Sequence, residues 1–460
     1  MNRRVVIVFG SLFALITLTG FMQSWSIALS LLTVGLISSV IALGLNIQWG
    51  YAGLFNAGVM AFSAIGAIAC VLVSMPWVTD AMLAGLASLQ TDADKNQQAI
   101  DLLQQDIGRR LEAERHLAWA WVIGCATALL AIIVNRSLKV LVTPRSRRLL
   151  VTAVLGVGLV IFRASFDPAT AVIESTGFGD NSKYLGGLGL PIIIAWIAGG
   201  ALAALTAWVI GRIALGLRSD YLAIATLGIS EIVIALLKNE NWLTRGTLNV
   251  TGLPSPVPTA KMLQDPPYLF SISSSLIVNS VLFISIIAVF LLLFLWLAHR
   301  ALHSPWGRMM RAIRDNEETA NAMGKDIVMR HRQVFILGCF VLGVGGAMLA
   351  THVLQFEPGS YHPLRYTFLV WVMVIVGGSG NNLGSIAGGI LIWFVWIQAE
   401  PAAAWVFQLV GDGFFLEGSP VRDLLEMRAP QMRTLLMGVI LLLVLRFAPR
   451  GILPETLQHK

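Results

Sequence analysis

Residues 299–332 read HRALHSPWGRMMRAIRDNEETANAMGKDIVMRHR, and 11 of these 34 residues carry a charge. Uncharged apolar runs lie on either side, at 277–298 and 334–350. An apolar run of about 20 residues is typical of a membrane-spanning helix. We therefore predict that 299–332 is a polar loop held between two membrane spans.

The loop carries the signals of a first short helix. Ser304-Pro305 is a typical start, because serine caps a helix N-terminus and proline fits the first turn. Apolar side chains then recur at helical spacing, at Trp306, Met309 or Met310, and Ile313.

A second short helix is predicted directly afterwards. Asn316 can cap it, and Glu317 and Glu318 fall in its first turn, where the helix dipole favours anions. Gly324 would end it, because glycine readily adopts the left-handed conformation that terminates many helices. Many charged loops between spans are only solvated connectors, but two specified helix ends favour a surface that docks a soluble partner.

The composition is that of an integral membrane protein. The 460 residues are 56% hydrophobic and 12% charged, with a mean hydropathy of +0.76. Soluble domains carry about twice that charged fraction. The net charge of +7 does not indicate nucleic-acid binding, because the basic residues lie between spans, where cytoplasmic loops are normally basic.

About twelve spans are predicted. Three of them, at 149–163, 221–237 and 366–377, are short and could be broken or re-entrant. The first span follows MNRR and is predicted to be retained, because no clean cleavage site follows and a second span comes at once. The apolar runs lie at 5–22, 27–46, 57–75, 118–135, 149–163, 190–211, 221–237, 277–298, 334–354, 366–377, 385–399 and 432–446.

The distribution of basic residues predicts the orientation. A cytoplasmic N-terminus places most basic loop residues inside, including one short cluster of Arg136, Lys139, Arg145, Arg147 and Arg148. Both termini and the 299–332 loop are then cytoplasmic.

The predicted outer segment 76–117 carries an amphipathic pattern. Thr91-Asp92 resembles a helix cap, and apolar residues recur every three or four positions at Ile100, Leu103, Ile107 and Leu111. We predict an amphipathic helix or helical hairpin, which either covers lipid headgroups and neighbouring spans or contacts an extracytoplasmic protein.

Two glycine-rich stretches, 44–58 and 377–389, interrupt the apolar sequence. Such breaks line the substrate route in some transporters, while small residues also allow close helix packing and tight turns. Both interpretations stay open. The candidate pathway residues in the two stretches are Asn46, Gly50, Tyr51, Gly53, Asn56, Gly378 and Asn381.

Glu231 lies in the middle of the predicted span 221–237. A carboxylate at that depth costs several kcal/mol unless it has a partner, a hydrophilic cavity or a bound proton. Glu231 is therefore a further pathway candidate, for substrate-ammonium contact or proton relay. The alternative is a hydrogen bond that fixes helix packing.

The sequence lacks the motifs of an ATPase or another enzyme. Its only Gly-Lys pair, Gly324-Lys325, is followed by Asp326 and not by the serine or threonine of a phosphate-binding loop. Paired carboxylates, a nucleophile constellation and metal-ligand spacing are also missing from the sequence pattern. We expect no cofactor in this chain, and ATP would have to be bound by another one.

Five motifs resemble the permease subunits of bacterial ABC importers for branched-chain amino acids, closest to the LivM type. They cover the whole core of the chain. The motifs are LGLNIQWGYAGLFNAG (43–58), RSDYLAIATLGISEIV (218–233), SPWGRMMRAIRDNEETANAMG (304–324), VIVGGSGNNLGSIAGG (374–389) and RFAPRGILPE (446–455).

The resemblance implies an all-helical permease in the inner membrane with a cytoplasmic coupling loop of pattern E-A-A-x-x-x-G. Thr319 departs from that pattern at its second position. The implied partners are two cytoplasmic ATPase subunits holding ATP and magnesium, a second homologous permease, a periplasmic binding protein and membrane lipid. The coupling candidates are Arg308, Arg311, Arg314, Glu317, Glu318, Ala320 and Gly324.

The implied substrate is leucine, isoleucine or valine. The alternatives are urea or short amides within the same family, or proton-coupled secondary transport through Glu231. The predicted organisation is N-terminal spans with a glycine break (1–75), an insertion with a periplasmic helix and two extra spans (76–190), central spans (191–298), the coupling loop (299–332), and C-terminal spans with a tail (333–460).

Overall fold

The structure is a computed structural model that describes residues 3–90, 93–137, 143–176, 183–217, 219–246, 248–266, 268, 270–414 and 427–455. Two short strands, β1 (Val250–Thr251) and β2 (Gln355–Phe356), accompany the helices. The helices are α1 (Arg3–Met22), α2 (Trp25–Ala52), α3 (Val59–Ser74), α4 (Val78–Gln90), α5 (Ala93–Ser137), α6 (Pro144–Ser175), α7 (Ile192–Ala214), α8 (Ser219–Asn239), α9 (Asn241–Thr244), α10 (Ala260–Gln264), α11 (Ile272–His303), α12 (Pro305–Asp315), α13 (Glu317–Ala322), α14 (Ile327–Val353), α15 (Pro363–Gly377), α16 (Asn382–Phe414) and α17 (Met432–Phe447).

The predicted all-helical membrane fold is confirmed. Within the described ranges, ten helices are long and apolar enough to cross a membrane, and α3 and α15 are shorter apolar helices. Each of the twelve predicted spans falls on one of these twelve helices.

The prediction of broken spans is wrong at two of its three places. Residues 149–163 lie inside α6, a continuous helix of 32 residues, and 221–237 lie inside α8, a continuous helix of 21. The apolar runs are shorter than the helices because polar residues near the helix ends interrupt the apolar pattern but not the helix. The third, α15, has only 15 residues and stops at a glycine.

The chain divides into two compact units. The larger unit comprises Met1–Ser74, Leu190–Leu236 and Gly252–Lys460, and the smaller one comprises Met75–Gly189 and Leu237–Thr251. The domain boundaries inferred from the sequence remain an interpretation.

The larger unit is organised around α2 and α14, its two most deeply buried spans. α14 packs against α2, α3 and α7, and α2 also packs against α11 and α16. Gly66 of α3 and Gly346 of α14 allow the closest of these approaches, because a Cβ at either would collide with the backbone of the other helix. Small residues at helix crossings are typical of packing in membranes.

The smaller unit contains α4, α5, α6 and α9. Long antiparallel α5 and α6 pack together, and a cluster of buried side chains joins them to α9: Ala113, Leu117, Ala169, Ile173 and Trp242. The Arg110 side chain is fully buried, pairs with Glu114 at 3.3 Å, and donates to the carbonyls of Thr176 (3.0 Å) and Tyr184.

The predicted amphipathic segment at 76–117 forms a helical hairpin of α4 and the first part of α5. The amphipathic helix is not separate, because α5 continues without a break into the apolar span. Of the four apolar residues in the pattern, Ile100, Leu103 and Ile107 are buried, whereas Leu111 is 41% exposed. The predicted cap at Thr91-Asp92 lies outside the described residues.

Candidate functional site: the charged loop and the glycine breaks

The first loop helix, α12, begins where the sequence indicated. The Ser304 side-chain oxygen accepts a hydrogen bond from the Gly307 backbone N–H at 3.3 Å. Met310 and Ile313 are buried and attach α12 to the protein, while Met309 lies between the buried and exposed faces. Met310 is therefore the member of the Met309–Met310 pair that lies on the buried face.

The second loop helix, α13, is capped by Asn316, whose side-chain oxygen accepts from the Thr319 backbone N–H at 2.9 Å. Glu317 and Glu318 are exposed in its first turn, and Ala320 is its buried residue. Gly324 follows the helix with φ of 74°, the left-handed conformation expected there. Most of the α13 surface is therefore free for contact with another molecule.

The three arginines of α12 differ in their surroundings. Arg308 is exposed, and Arg311 is half-buried and donates to the Leu302 carbonyl at 3.4 Å. Arg314 is 20% exposed, donates to the Gly50 carbonyl and forms an ion pair with Glu455 at 3.0 Å. Arg314 thus joins the loop to the end of α2 and to the C-terminal segment.

The first glycine break is shorter than the sequence indicated. α2 is helical through Asn46 and Gly50 to Ala52, so the prediction of a break from Gly44 onwards was wrong. The glycines are tolerated because α2 is packed on nearly all sides by other helices, whose contacts outweigh the low helix propensity of glycine. The break begins at Gly53, which caps α2 with φ of 69°.

The two glycine breaks meet at Asn382. Its side-chain oxygen accepts hydrogen bonds from the Asn46 amide at 3.1 Å and from the Tyr51 hydroxyl. The Asn46 oxygen accepts in turn from the Gly380 backbone N–H at 2.8 Å. A Cβ at Gly50 would lie 2.6 Å from the Gly380 nitrogen, so the two segments approach too closely for any larger residue.

The other pathway candidates are also held by hydrogen bonds. Asn56 donates to the Gln48 side chain at 2.8 Å, and its carbonyl accepts from the Trp371 indole at 3.1 Å. Asn381 caps α16, accepting from the Leu383 N–H at 3.0 Å. Gly378 has φ of 116° and packs against Leu453.

These contacts support a helix-holding role for Asn46, Tyr51, Asn56 and Asn381, and their place in a substrate pathway stays a prediction. Two residues of this network, Gln48 and Asn382, were not among the candidates inferred from the sequence. Both are polar residues inside the quoted glycine motifs, and that is the only signal that could have found them.

Glu231 differs from all of these residues. It lies on the exposed face of α8, together with Ile224, Gly228 and Ile232. Thr226 and Ser230 occupy the buried face of the same helix. Within the described part of the chain, the Glu231 carboxylate has no hydrogen-bond or ion-pair partner. It does not contact the glycine-break cluster around Asn382.

These features define an all-helical, polytopic membrane protein. The described residues contain no group of three or more histidine, cysteine or acidic side chains that could hold a metal ion. The chain belongs to the family described as the branched-chain amino acid transport system / permease component, whose profile matches residues 150–445.

Three curated relatives are similar to this chain. It is 26% identical over 287 residues to the probable branched-chain amino acid transport permease protein LivM of Methanocaldococcus jannaschii, covering 62% of this chain and 74% of that protein. It is 27% and 29% identical over 192 and 191 residues to the high-affinity branched-chain amino acid transport system permease proteins LivM of Salmonella typhimurium and Escherichia coli, covering 39% of this chain and 44% of each. No solved structure matches the chain.

Proposed function

We propose that this chain is the permease subunit of an ATP-driven importer that moves leucine, isoleucine or valine across a bacterial inner membrane. Family membership supports the substrate class. The observation that carries the ATP-driven mechanism is the α12–α13 loop, a structured polar surface between two spans that exposes the acidic end of a short helix.

In this mechanism α13 docks on a cytoplasmic ATPase subunit. Its exposed Glu317 and Glu318 provide charge for docking, and Ala320 anchors the helix to the rest of the loop. Closure of the ATPase around ATP would move α13, and α12 would move with it because the two helices are joined by a single capping residue, Asn316.

Arg314 connects the loop directly to the membrane spans, so that it can transmit a movement of α12 to them. Its hydrogen bond to the Gly50 carbonyl attaches α12 to the end of α2, and α2 contacts the second glycine break through Asn46 and Gly380. A displacement of α12 would therefore be transmitted to both breaks at once. This chain carries out no chemical step, and ATP and magnesium are bound by its partners.

The remaining partners are a second homologous permease and a periplasmic substrate-binding protein, with both termini of this chain in the cytoplasm. Glu231 supports the need for a second permease. A charged carboxylate facing lipid at mid-span costs several kcal/mol, and the second permease is the partner that would cover that face of α8 and keep Glu231 ionised.

The decisive experiment is purification from native membranes, followed by reconstitution of the co-purifying chains in proteoliposomes. We expect leucine uptake that requires ATP and the binding protein. Glu318→Lys and Gly324→Pro should leave membrane insertion intact. In both variants we expect ATP hydrolysis to continue without driving uptake. Uptake sustained by a proton gradient without ATP would favour the secondary transporter, and uptake of urea in place of leucine would overturn the substrate.

A further inference from the structure

The smaller unit contains a surface groove of about 370 Å³ between α5 and α6. On the α6 side it is lined by small residues such as Ala164, Ser165 and Ala169, which leave space between two helices that otherwise pack closely. The groove uses no residue of the coupling loop or of the glycine breaks, and α5 precedes the residues that the family profile matches. Neither the transport mechanism nor family membership therefore accounts for it.

The groove lies at the edge of the apolar part of this hairpin. α5 carries no charged residue over 117–134, and α6 carries none over 149–162. The rings of Trp121 and Phe162 are 5.9 Å apart, so the two apolar runs end at the same level. Trp121 is also exposed, as is typical of tryptophans at a membrane–water interface. The groove begins directly beyond these ends, at the level of the lipid headgroups.

Three ionisable side chains line the α5 side of the groove. Arg109, Glu112 and His116 are spaced three and four residues apart, so they project from one face of the helix. All three are exposed. None of these side chains has a hydrogen-bond or ion-pair partner within the described part of the chain. Their polar atoms are therefore available to a ligand.

α6 supplies further polar atoms. Pro168 lies inside α6 and has no N–H, so the Ala164 carbonyl lacks its usual helical hydrogen bond. The Ser165 hydroxyl also lines the groove and has no partner among the described residues. Because the two helices are antiparallel, His116 and Ser165 both lie next to the apolar runs, whereas Glu112 lies one turn further out.

The order of these groups matches the headgroup of an aminophospholipid. In such a lipid the phosphate follows the acyl chains, and the primary ammonium lies beyond the phosphate. His116 and Ser165 can donate to phosphate oxygens, and Glu112 can accept from the ammonium. Arg109 offsets the charge of Glu112, so the groove favours a zwitterionic headgroup over a purely anionic one.

We propose that this groove binds the headgroup of phosphatidylethanolamine, with the phosphate on His116 and Ser165 and the ammonium on Glu112 and the Ala164 carbonyl. Phosphatidylcholine has the same phosphate, but its quaternary ammonium has no N–H to donate and binds less well. The acyl chains add little selectivity, because they leave a bilayer that is as apolar as the helix surface. The proposal assigns this part of α5 to lipid headgroups and not to an extracytoplasmic protein.

Native mass spectrometry of the full-length chain in detergent tests the ammonium contact. The chain is equilibrated with equal amounts of phosphatidylethanolamine and phosphatidylcholine carrying the same acyl chains, and the ratio of the two single-lipid adducts is measured. We expect the wild-type chain to prefer phosphatidylethanolamine. Glu112→Ala should reduce this preference about three- to fivefold, the usual effect of losing an exposed charge pair. Retained phosphatidylcholine binding shows that the variant is folded.

Asp101→Ala is the matched control for Glu112→Ala. It removes an exposed carboxylate three turns further out on the same helix and should keep the wild-type ratio. The phosphate contact has its own test, because both lipids share the phosphate. The double variant His116→Ala with Ser165→Ala should lower binding of both lipids equally and leave their ratio unchanged. Arg115→Ala, an exposed neighbour that does not line the groove, should change neither.

Equal binding of the two lipids by the wild-type chain would overturn the site. Equal losses in Glu112→Ala and Asp101→Ala would do the same, because the effect would then come from the overall surface charge. The third contrary result is an unchanged lipid preference in Glu112→Ala together with a loss of uptake driven by the binding protein. That result would make the groove a protein contact.

Discussion

At the scale of single residues, the side-chain oxygen of Asn382 holds the two glycine breaks together. It accepts hydrogen bonds from Asn46 and from the Tyr51 hydroxyl, two donors buried in α2. Buried donors that lose their acceptor carry an energetic penalty of about 1–3 kcal/mol each. Asn382 is therefore a stabilising residue.

Replacing Asn382 tests this role. Asn382→Ala leaves the Asn46 amide without an acceptor and the Tyr51 hydroxyl with only the longer contact to the Ala298 carbonyl at 3.5 Å, and we expect the free energy of unfolding to fall by roughly 1–3 kcal/mol. Thermal unfolding in detergent measures the change. Gln408→Ala, at an exposed position of the same helix, is the control and should leave the melting temperature nearly unchanged. Equal melting temperatures for the two variants would contradict the prediction.

Glu231 makes a second prediction at this scale. Glu231→Gln keeps the shape and removes the charge, so membrane insertion should be normal because a neutral amide is easier to bury. Uptake by reconstituted complexes should fall, because the partner or water that faces the carboxylate loses its charged contact. Ile232→Ala, at the next exposed position of α8, is the control. Normal uptake by Glu231→Gln would remove Glu231 from the mechanism.

The sequence alone shows which residues inside the glycine motifs are polar. It does not show which of these residues contact each other in the fold. Asn46 and Asn382 are 336 residues apart, and only the packing of α2 against α16 brings them together. The sequence pattern favours the neighbouring Asn381 as much as Asn382, because both are asparagines in the same glycine motif. The local pattern does not distinguish an asparagine that caps a helix from one that points into the interior.

At the scale of elements, the loop helices were predictable because their ends are specified locally. Serine, proline, asparagine and glycine act through hydrogen bonds and backbone angles within a few residues, and α12 and α13 begin at the predicted caps. The length of α2 was not predictable, because helical glycines such as Gly44 are held by a neighbouring helix that the local sequence does not reveal.

Arg314 tests whether α12 is mechanically joined to α2. Arg314→Ala removes the hydrogen bond to the Gly50 carbonyl and the ion pair with Glu455. We expect ATP hydrolysis by the reconstituted complex to continue while leucine uptake falls about tenfold, the result of losing about 1.4 kcal/mol of coupling between the loop and the spans. Lys325→Ala, at an exposed basic residue of the same loop, is the control and should change neither rate by more than about twofold. A parallel fall of hydrolysis and uptake in Arg314→Ala would indicate lost assembly and contradict the link.

At the scale of the whole molecule, hydropathy predicted the twelve apolar helices because membrane spans must satisfy their backbone hydrogen bonds internally and cover themselves with apolar side chains. Length and composition therefore suffice to find a span. They do not show which spans are buried by others. α2 and α14 are mostly enclosed by other helices, whereas α1 is mostly exposed, although all three are similarly apolar in sequence.

The orientation of the chain is the prediction on which the coupling mechanism depends. Basic loop residues favour the cytoplasmic side, so the α13 helix should face the cytoplasm together with both termini.

Cysteine labelling tests this orientation. Glu318→Cys places a thiol on the exposed face of α13. Cys125 is replaced in the background because it is exposed, whereas Cys70 and Cys339 are buried and can stay. A membrane-impermeant maleimide should label Glu318→Cys in inverted membrane vesicles and not in intact spheroplasts. A cysteine at Leu248, which the same orientation places outside, should show the opposite pattern. Labelling of Glu318→Cys from the outer face would place α13 beyond the reach of any cytoplasmic ATPase, and the coupling role of the loop could not then be correct.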